Sequence, residues 1–380
     1  MSGKMGWIGS VALVLAPMAV SGQDWVEFAG AQWAVDYGEV KAERFMGEDA
    51  LLFRNGRVRL ANADFDDGTI EFDLATTGHR SFVGVGFRVE ESGRDYEYFY
   101  LRPHQTGRFD AMQYTPVDNG LSAWQIYAEH NATGWLARDE WIHVRLEVEG
   151  TWLNAYIGDH DEPALTVPYM ERSPTAGQIV IVGGFPQAGE LDIYPTAFAN
   201  FSVSHGGTVA AAEEGEPRGN GPAEAIQRWD VSPAFAAEAE TITELPWTDE
   251  WESIWTHDPE GRLNIGKHRA RVQGDYGTAV LARSVIRSDR EQIKKLAFGY
   301  SDRGSVFLNG ELIFTGDNTY LSRSERYLGV MTVDNDALYL PLKAGDNELV
   351  VAVTESFGGW GLVARLGDVD GIQKDRLTMR

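Results

Sequence analysis

Apolar and polar residues alternate with a period of two along much of this chain. The clearest run is Tyr96-Glu97-Tyr98-Phe99-Tyr100-Leu101-Arg102-Pro103-His104. Successive side chains of a strand point to opposite faces, so this run predicts a strand that turns Phe99 and Leu101 inward and sets Tyr98, Tyr100, Arg102 and His104 in one outward row. Shorter runs predict further strands at 50–53, 57–60, 68–74, 82–89, 97–102, 110–114, 124–127, 141–149, 152–157, 178–183 and 197–203, separated by Asp-Gly, Ser-Gly and Asn-Gly breaks. Many short strands at this spacing argue an antiparallel two-sheet sandwich that closes by His205.

From 206 to 225 the composition changes to Gly, Ala, Glu and Pro, with Val209 the one large apolar residue before Ala225. Such a stretch has little to bury and reads as an exposed linker. A second β-rich region follows, with strands expected at 277–286, 294–300, 304–308, 311–314, 337–342, 347–355 and 360–365, a short helix at 288–295, and a two-residue hairpin turn at Asn309-Gly310. The expected fold is all-β: two antiparallel β-sandwich (jelly-roll) domains, 24–205 and 226–368, joined by a flexible linker and followed by a tail at 369–380.

The first residues carry Lys4, an apolar stretch from Met5 to Val20 interrupted by small residues and Pro17, and then Ser21-Gly22-Gln23. This is the pattern of a secretory signal over 1–22, and the stretch is too interrupted for a membrane span. The expected address is secreted or periplasmic, with no membrane insertion once the signal is removed. Cysteine is absent, which excludes disulfides, thiolate metal sites and cysteine nucleophiles. The 33 basic residues face 57 acidic ones, a net charge of −24 that opposes binding to nucleic acid or anionic lipid.

The residues Phe65–Asp73, Phe82–Arg88, Tyr96–His104, Asp110–Tyr114 and Asn119–Gln125 resemble a bacterial branch of the concanavalin A-like lectin/glucanase superfamily, the laminin-G-like sandwich. That superfamily holds lectins, laminin-G modules, glucanases and a keto-sugar hydrolase group, so the resemblance implies a fold and a sugar-related class. Its retaining glucanases carry two catalytic glutamates in Glu-x-Asp-x-(x)-Glu on one strand face. Here Glu71 and Asp73 match, and Ala75, Thr76 and Thr77 stand where the second glutamate belongs. In the second half, Leu296–Asp302, Val306–Glu311, Leu338–Leu349 and Thr354–Gly361 resemble the galactose-binding-like jelly roll that flanks the catalytic barrel of many glycoside hydrolases. Such domains bind sugar or brace a neighbour, and this chain carries no barrel for it to brace.

Flat rings beside guanidinium and imidazole groups suit a sugar, whose ring stacks on aromatics and whose hydroxyls take directed hydrogen bonds. The candidate ligand-binding residues are Arg88, Tyr98, Tyr100, Arg102, His104, Gln113 and Trp124, with Glu355 and Trp360, beside Phe357, as a subsite at the far end. Arg88 and Arg102 would fork onto hydroxyls or onto the carboxylate of an acidic polysaccharide. The leading reading is an exported, non-catalytic carbohydrate-binding protein. One alternative is a sugar-active enzyme, a hydrolase or lyase, using His104, Tyr100, Arg102 and Glu97 or Asp110 as acid and base. A structural or adhesive surface component is the other. Cofactors are not expected, apart from structural calcium at the oxygen-rich turns 62–67 or 334–336. The eight histidines include no His-x-x-x-His pair, and no Gly-x-Ser-x-Gly elbow, phosphate loop or dinucleotide fingerprint is present. Purified from its native source, the mature chain should begin near Gln23 or Asp24. An amino-terminal sequence starting at Met1 or Ser2 would overturn the export reading.

Overall fold

A computed structural model describes residues 24–206 and 221–373; the expected secretory signal and most of the expected linker lie outside the described residues. Every strand pairing there is antiparallel, and the helical content among the described residues is three single 3-10 turns.

The strands up to His205 form one curled sheet. Its order is Leu165–Val167, Trp152–Ile157, Trp141–Glu149, Gly68–Thr76, Thr196–His205, Glu48–Leu60, Gln178–Gly184, Phe82–Val89, Tyr96–Leu101, Met112–Asp118 and Leu121–Ser122. Glu48–Leu60 is the joint. Its residues 50–53 pair with Thr196–His205, and its residues 56–59 pair with Gln178–Gly184. The strands expected at 50–53 and 57–60 are therefore one strand shared by two layers. A long hairpin partner, Ala31–Phe45, runs beside it with two register shifts, and the alternation there is too charged to have announced itself. Between the layers lie Trp33, Phe53, Phe72, Phe87, Phe99, Leu101, Val144, Ile181 and Phe198, with the rings of Phe53 and Phe198 edge to face at 5.5 Å. Each such side chain contributes about 1.5–3 kcal/mol by leaving water.

The strands from Arg228 onward form two facing sheets. One runs Glu252–Trp255, Arg228–Val231, Thr278–Ser288, Gly345–Glu355, Arg303–Leu308, Glu311–Asp317; the other runs Leu263–Asn264, Gly361–Leu366, Gln292–Ser301, Asp336–Leu342. Trp229, Phe298, Tyr300, Val351, Val353, Trp360 and Leu362 fill the space between them. Asn309 and Gly310 both sit at positive φ, +51° and +82°, as a two-residue hairpin turn requires.

Three expectations are corrected. The helix at 288–295 does not form, because Ser288 closes one strand opposite Gly345 and Gln292 opens the next opposite Leu342, so strand pairing wins over a weak helical signal. Residues 124–127 are a turn and not a strand. Residues 369–373 are not loose: Ile372 is buried in the second core and bridges Ser288.

The two halves meet along a seam that is both apolar and hydrogen-bonded. Ala123, Ile126 and Tyr127 pack against Met331 and Val363. Asn264 Nδ2 donates to Asp118 Oδ2 at 3.0 Å, Arg262 Nη1 to the Ile126 carbonyl at 2.9 Å, Lys267 Nζ to the Glu171 carbonyl at 2.7 Å, and Gln125 Nε2 to the Leu328 carbonyl at 2.7 Å. Buried polar groups that find partners across a junction are costly to separate. A chain cut at a protease site inserted between 207 and 220 should therefore still elute from gel filtration as one particle. Separation of the pieces in plain buffer would show that the seam does not hold.

Candidate functional site

The outward face of Tyr96–Leu101 is built on glycine. Gly84 stands opposite Tyr100 and Gly86 opposite Tyr98 on the neighbouring strand, and a Cβ placed on Gly86 would come within 2.7 Å of the Tyr96 ring. At Gly86 that space is taken by Val180 and the Tyr96 ring, and at Gly84 a Cβ would lie 2.0 Å from the Phe99 carbonyl oxygen, so the two strands close up over these positions. Tyr98 and Tyr100 stack with centroids 5.1 Å apart and planes 10° apart, packed with Val117, Val182, Phe82 and Tyr96. Strand parity is as the alternation implies, with Phe99 and Leu101 in the main core and the tyrosines opposite. The exposure is not. Tyr98 is 8% exposed and Tyr100 4%, so the expected open row is a buried floor, rimmed by the half-buried Phe82, Tyr96, His104 and Trp124.

A closed polar network continues that floor. The Tyr100 hydroxyl donates to Gln113 Oε1 at 2.8 Å; Arg102 Nη2 donates to the same oxygen at 2.5 Å and to the Tyr100 hydroxyl at 2.6 Å. Arg102 Nη1 pairs with Asp110 Oδ2 at 2.9 Å, and Gln113 Nε2 donates to the Trp124 carbonyl at 3.0 Å. The guanidinium lies 5.1 Å from the Tyr100 ring centre and 5.6 Å from that of Trp124. The structure thus brings together Tyr98, Tyr100, Arg102, Gln113 and Trp124, with His104 edge-on to Phe82 at 5.4 Å. It also corrects the role expected of Arg102. Buried beside Asp110, its charge is already neutralised, and breaking that pair to seize a carboxylate would leave Asp110 buried and unpaired.

Two groups on this face keep unused capacity. The Tyr98 hydroxyl and His104 Nδ1 have no hydrogen-bond partner among the described residues, and both atoms are shut off from solvent. Burial pushes the Tyr98 phenol well above its ordinary value, which keeps it protonated and a donor. Burial, reinforced by Arg80 and Arg102, pulls His104 down to about 4, so its imidazole is neutral at neutral pH.

Other expected residues fall elsewhere. Arg88 sits at φ +53° in a bulge, where three steps on its own strand match two on Gln178–Gly184. Its guanidinium reaches the Asp66 carbonyl at 2.9 Å and Asp67 Oδ1 at 2.8 Å, away from the tyrosine floor. Those contacts occupy the turn at 62–67 expected to hold calcium. In the turn at 334–336, Asp336 accepts from Tyr300 and Arg323. Glu97 faces the core, where it accepts the Tyr114 hydroxyl at 2.6 Å, so it cannot serve as acid or base on the opposite face. Trp360 is fully buried with Nε1 donating to the Val353 carbonyl at 3.1 Å, and Glu355 is buried beside Asp302, so neither presents the expected subsite to a ligand. The alternating run Gly345–Glu355 carries Glu355 into the interior, and the glycine turn brings the chain back with Trp360 inside. Glu71 and Asp73 flank His143 on a partly solvated face, Asp73 Oδ1 lying 2.9 Å from Nδ1.

Sequence reasoning missed Tyr320. With Phe357 it meets Trp124 across the seam, a contact between residues far apart in the chain that no local pattern announces.

No family model matches the chain, and no curated protein matches it. Among solved structures it is similar to a carbohydrate binding module, CBM66, from Bacillus subtilis (14% identity, TM-score 0.29, covering 48% of this chain and 92% of that one). It is similar to the Caenorhabditis elegans galectin LEC-6 (8%, 0.30, 40% and 91%) and to a Bacillus licheniformis beta-glucanase (14%, 0.31, 49% and 98%).

Glu97 yields a pH prediction. Desolvation, opposed by Tyr114 and Arg172, raises its carboxyl from 4.5 to about 7. Above 4.5 the unfolded chain gives up this proton while the folded chain holds it, so the stability linked to it is full at low pH and fades as pH rises through 7. Glu97→Gln cannot ionise, so the difference in Tm between variant and parent should move in the variant's favour from about pH 5 to about pH 8. A difference that stays constant across that span would mean that Glu97 is ionised throughout.

Proposed function

We propose that this is an exported, non-catalytic protein that binds a neutral polysaccharide through the tyrosine floor and its rim. The observation that carries the reading is the continuous line Tyr98, Tyr100, Arg102, Trp124, in which aromatic surface is held rigid by a network whose one positive charge is already matched by Asp110. A sugar ring offers its apolar face to the half-buried Phe82, Tyr96 and Trp124 that rim the floor. Rigid groups lose little freedom on binding, so little of the contact energy is spent on ordering them. The surrounding net charge of −24 repels an acidic polymer and is indifferent to a neutral one.

The test is a panel of immobilised polysaccharides, with laminarin, xylan and galactomannan set against pectin and alginate, scoring retention and released reducing ends together. Retention on a neutral member without release is expected. Phe82→Ala removes one ring of the half-buried rim and should weaken that retention roughly tenfold, about 1.4 kcal/mol, with folding checked by Tm. Preference for the acidic members, or product release, would replace this reading with one of its rivals.

A further inference from the structure

Trp124 belongs to two groups at once. On one side its ring lies over Arg102, and on the other it meets Tyr320 and Phe357, both from the second half of the chain. The three ring centres form a nearly equilateral triangle, 6.2 Å from Trp124 to Tyr320, 6.0 Å from Trp124 to Phe357 and 6.2 Å from Tyr320 to Phe357, with every pair of planes tilted by 64–74°. Unlike the tyrosine floor, this triangle is open: Tyr320 is 38% exposed and Phe357 46%. Large rings this accessible are normally scattered singly over a surface, and three in mutual contact beside a candidate site are not.

The triangle is also held in place. Asp302 Oδ2 accepts the Ser356 and Phe357 amides at 2.8 and 2.7 Å, Asp317 Oδ1 accepts the Thr319 amide at 2.8 Å, and the Gln125 amide donates to the Gly358 carbonyl at 3.0 Å. Gly358 is at φ +102°, and a Cβ there would come 2.1 Å from Gln125 Oε1, so only glycine lets the Phe357 loop close on the Trp124 turn.

We propose that the triangle is a second sugar subsite, so that the ligand is a chain that crosses the seam and touches both halves, not a lone sugar. This rests on the reading of the tyrosine floor as a glycan site and adds the size of the ligand to it. The occupant follows from continuity: Tyr98, Tyr100, Arg102, Trp124 and Phe357 stand in unbroken succession at 5–6 Å steps. One ring settled on the floor leaves the triangle to its neighbour in the same polymer.

The experiment uses the full chain and a size-graded ladder of neutral oligosaccharides, made by partial hydrolysis of the panel polysaccharide it retains best. Affinity should climb with chain length in the parent. Phe357→Ala and Tyr320→Ala, at open positions where Tm should hold, should leave the shortest binders unchanged and cost the longer ones roughly tenfold, flattening the climb. Equal losses at every length, or none at any length, would overturn the second subsite while leaving the floor and its rim intact, which Phe82→Ala tests separately. A parent that binds no member of panel or ladder overturns both.

Discussion

Gln125 decides whether the candidate site exists. It is fully buried, its amide nitrogen donates across the seam to the Leu328 carbonyl, and its side-chain oxygen accepts from Ser301 at 3.3 Å. An unpaired primary amide in that position would cost about 1–3 kcal/mol, so the turn that carries Trp124 is set by the second half as much as by its own. Gln113 fixes the same turn from the other side by its bond to the Trp124 carbonyl. Remove either constraint and the aromatic line from the tyrosines to Phe357 is broken at its midpoint.

The network also reconciles an acidic protein with an arginine at the centre of its site. Arg102 has Asp110, Tyr100 and Gln113 within hydrogen-bond reach and an aromatic ring on either side. It acts as a brace that orients hydroxyl and amide groups, and the charge that chemistry on a carboxylate would need is already committed.

The strands were legible because alternation is a local property: 82–89, 141–149 and 152–157 are found where the pattern puts them. Parity was legible too, for Phe99 and Tyr98 do face opposite ways. Exposure was not, because it depends on what the neighbouring strand lacks, and Gly84 and Gly86 reveal their role only once pairing is known. Arg88 was misplaced by a bulge, a one-residue insertion that reverses which way a side chain points and leaves no mark on composition. Trp360 and Glu355 read as a subsite because they border a glycine turn between two strands, whereas that turn brings the chain back with both side chains in the core. Tyr320 became visible only with the seam.

The shared strand Glu48–Leu60 has a bearing on how the molecule comes into being. Both of its non-hairpin partners, Gln178–Gly184 and Thr196–His205, are the last strands of that half to be synthesised. A growing chain therefore cannot close one layer until the ribosome has passed residue 184, nor the other until it has passed 205, and pairings over so long a loop are slow to form. For most of its synthesis this half exists as an open chain with unclosed sheet edges, the condition in which a polypeptide can still be threaded through a narrow pore.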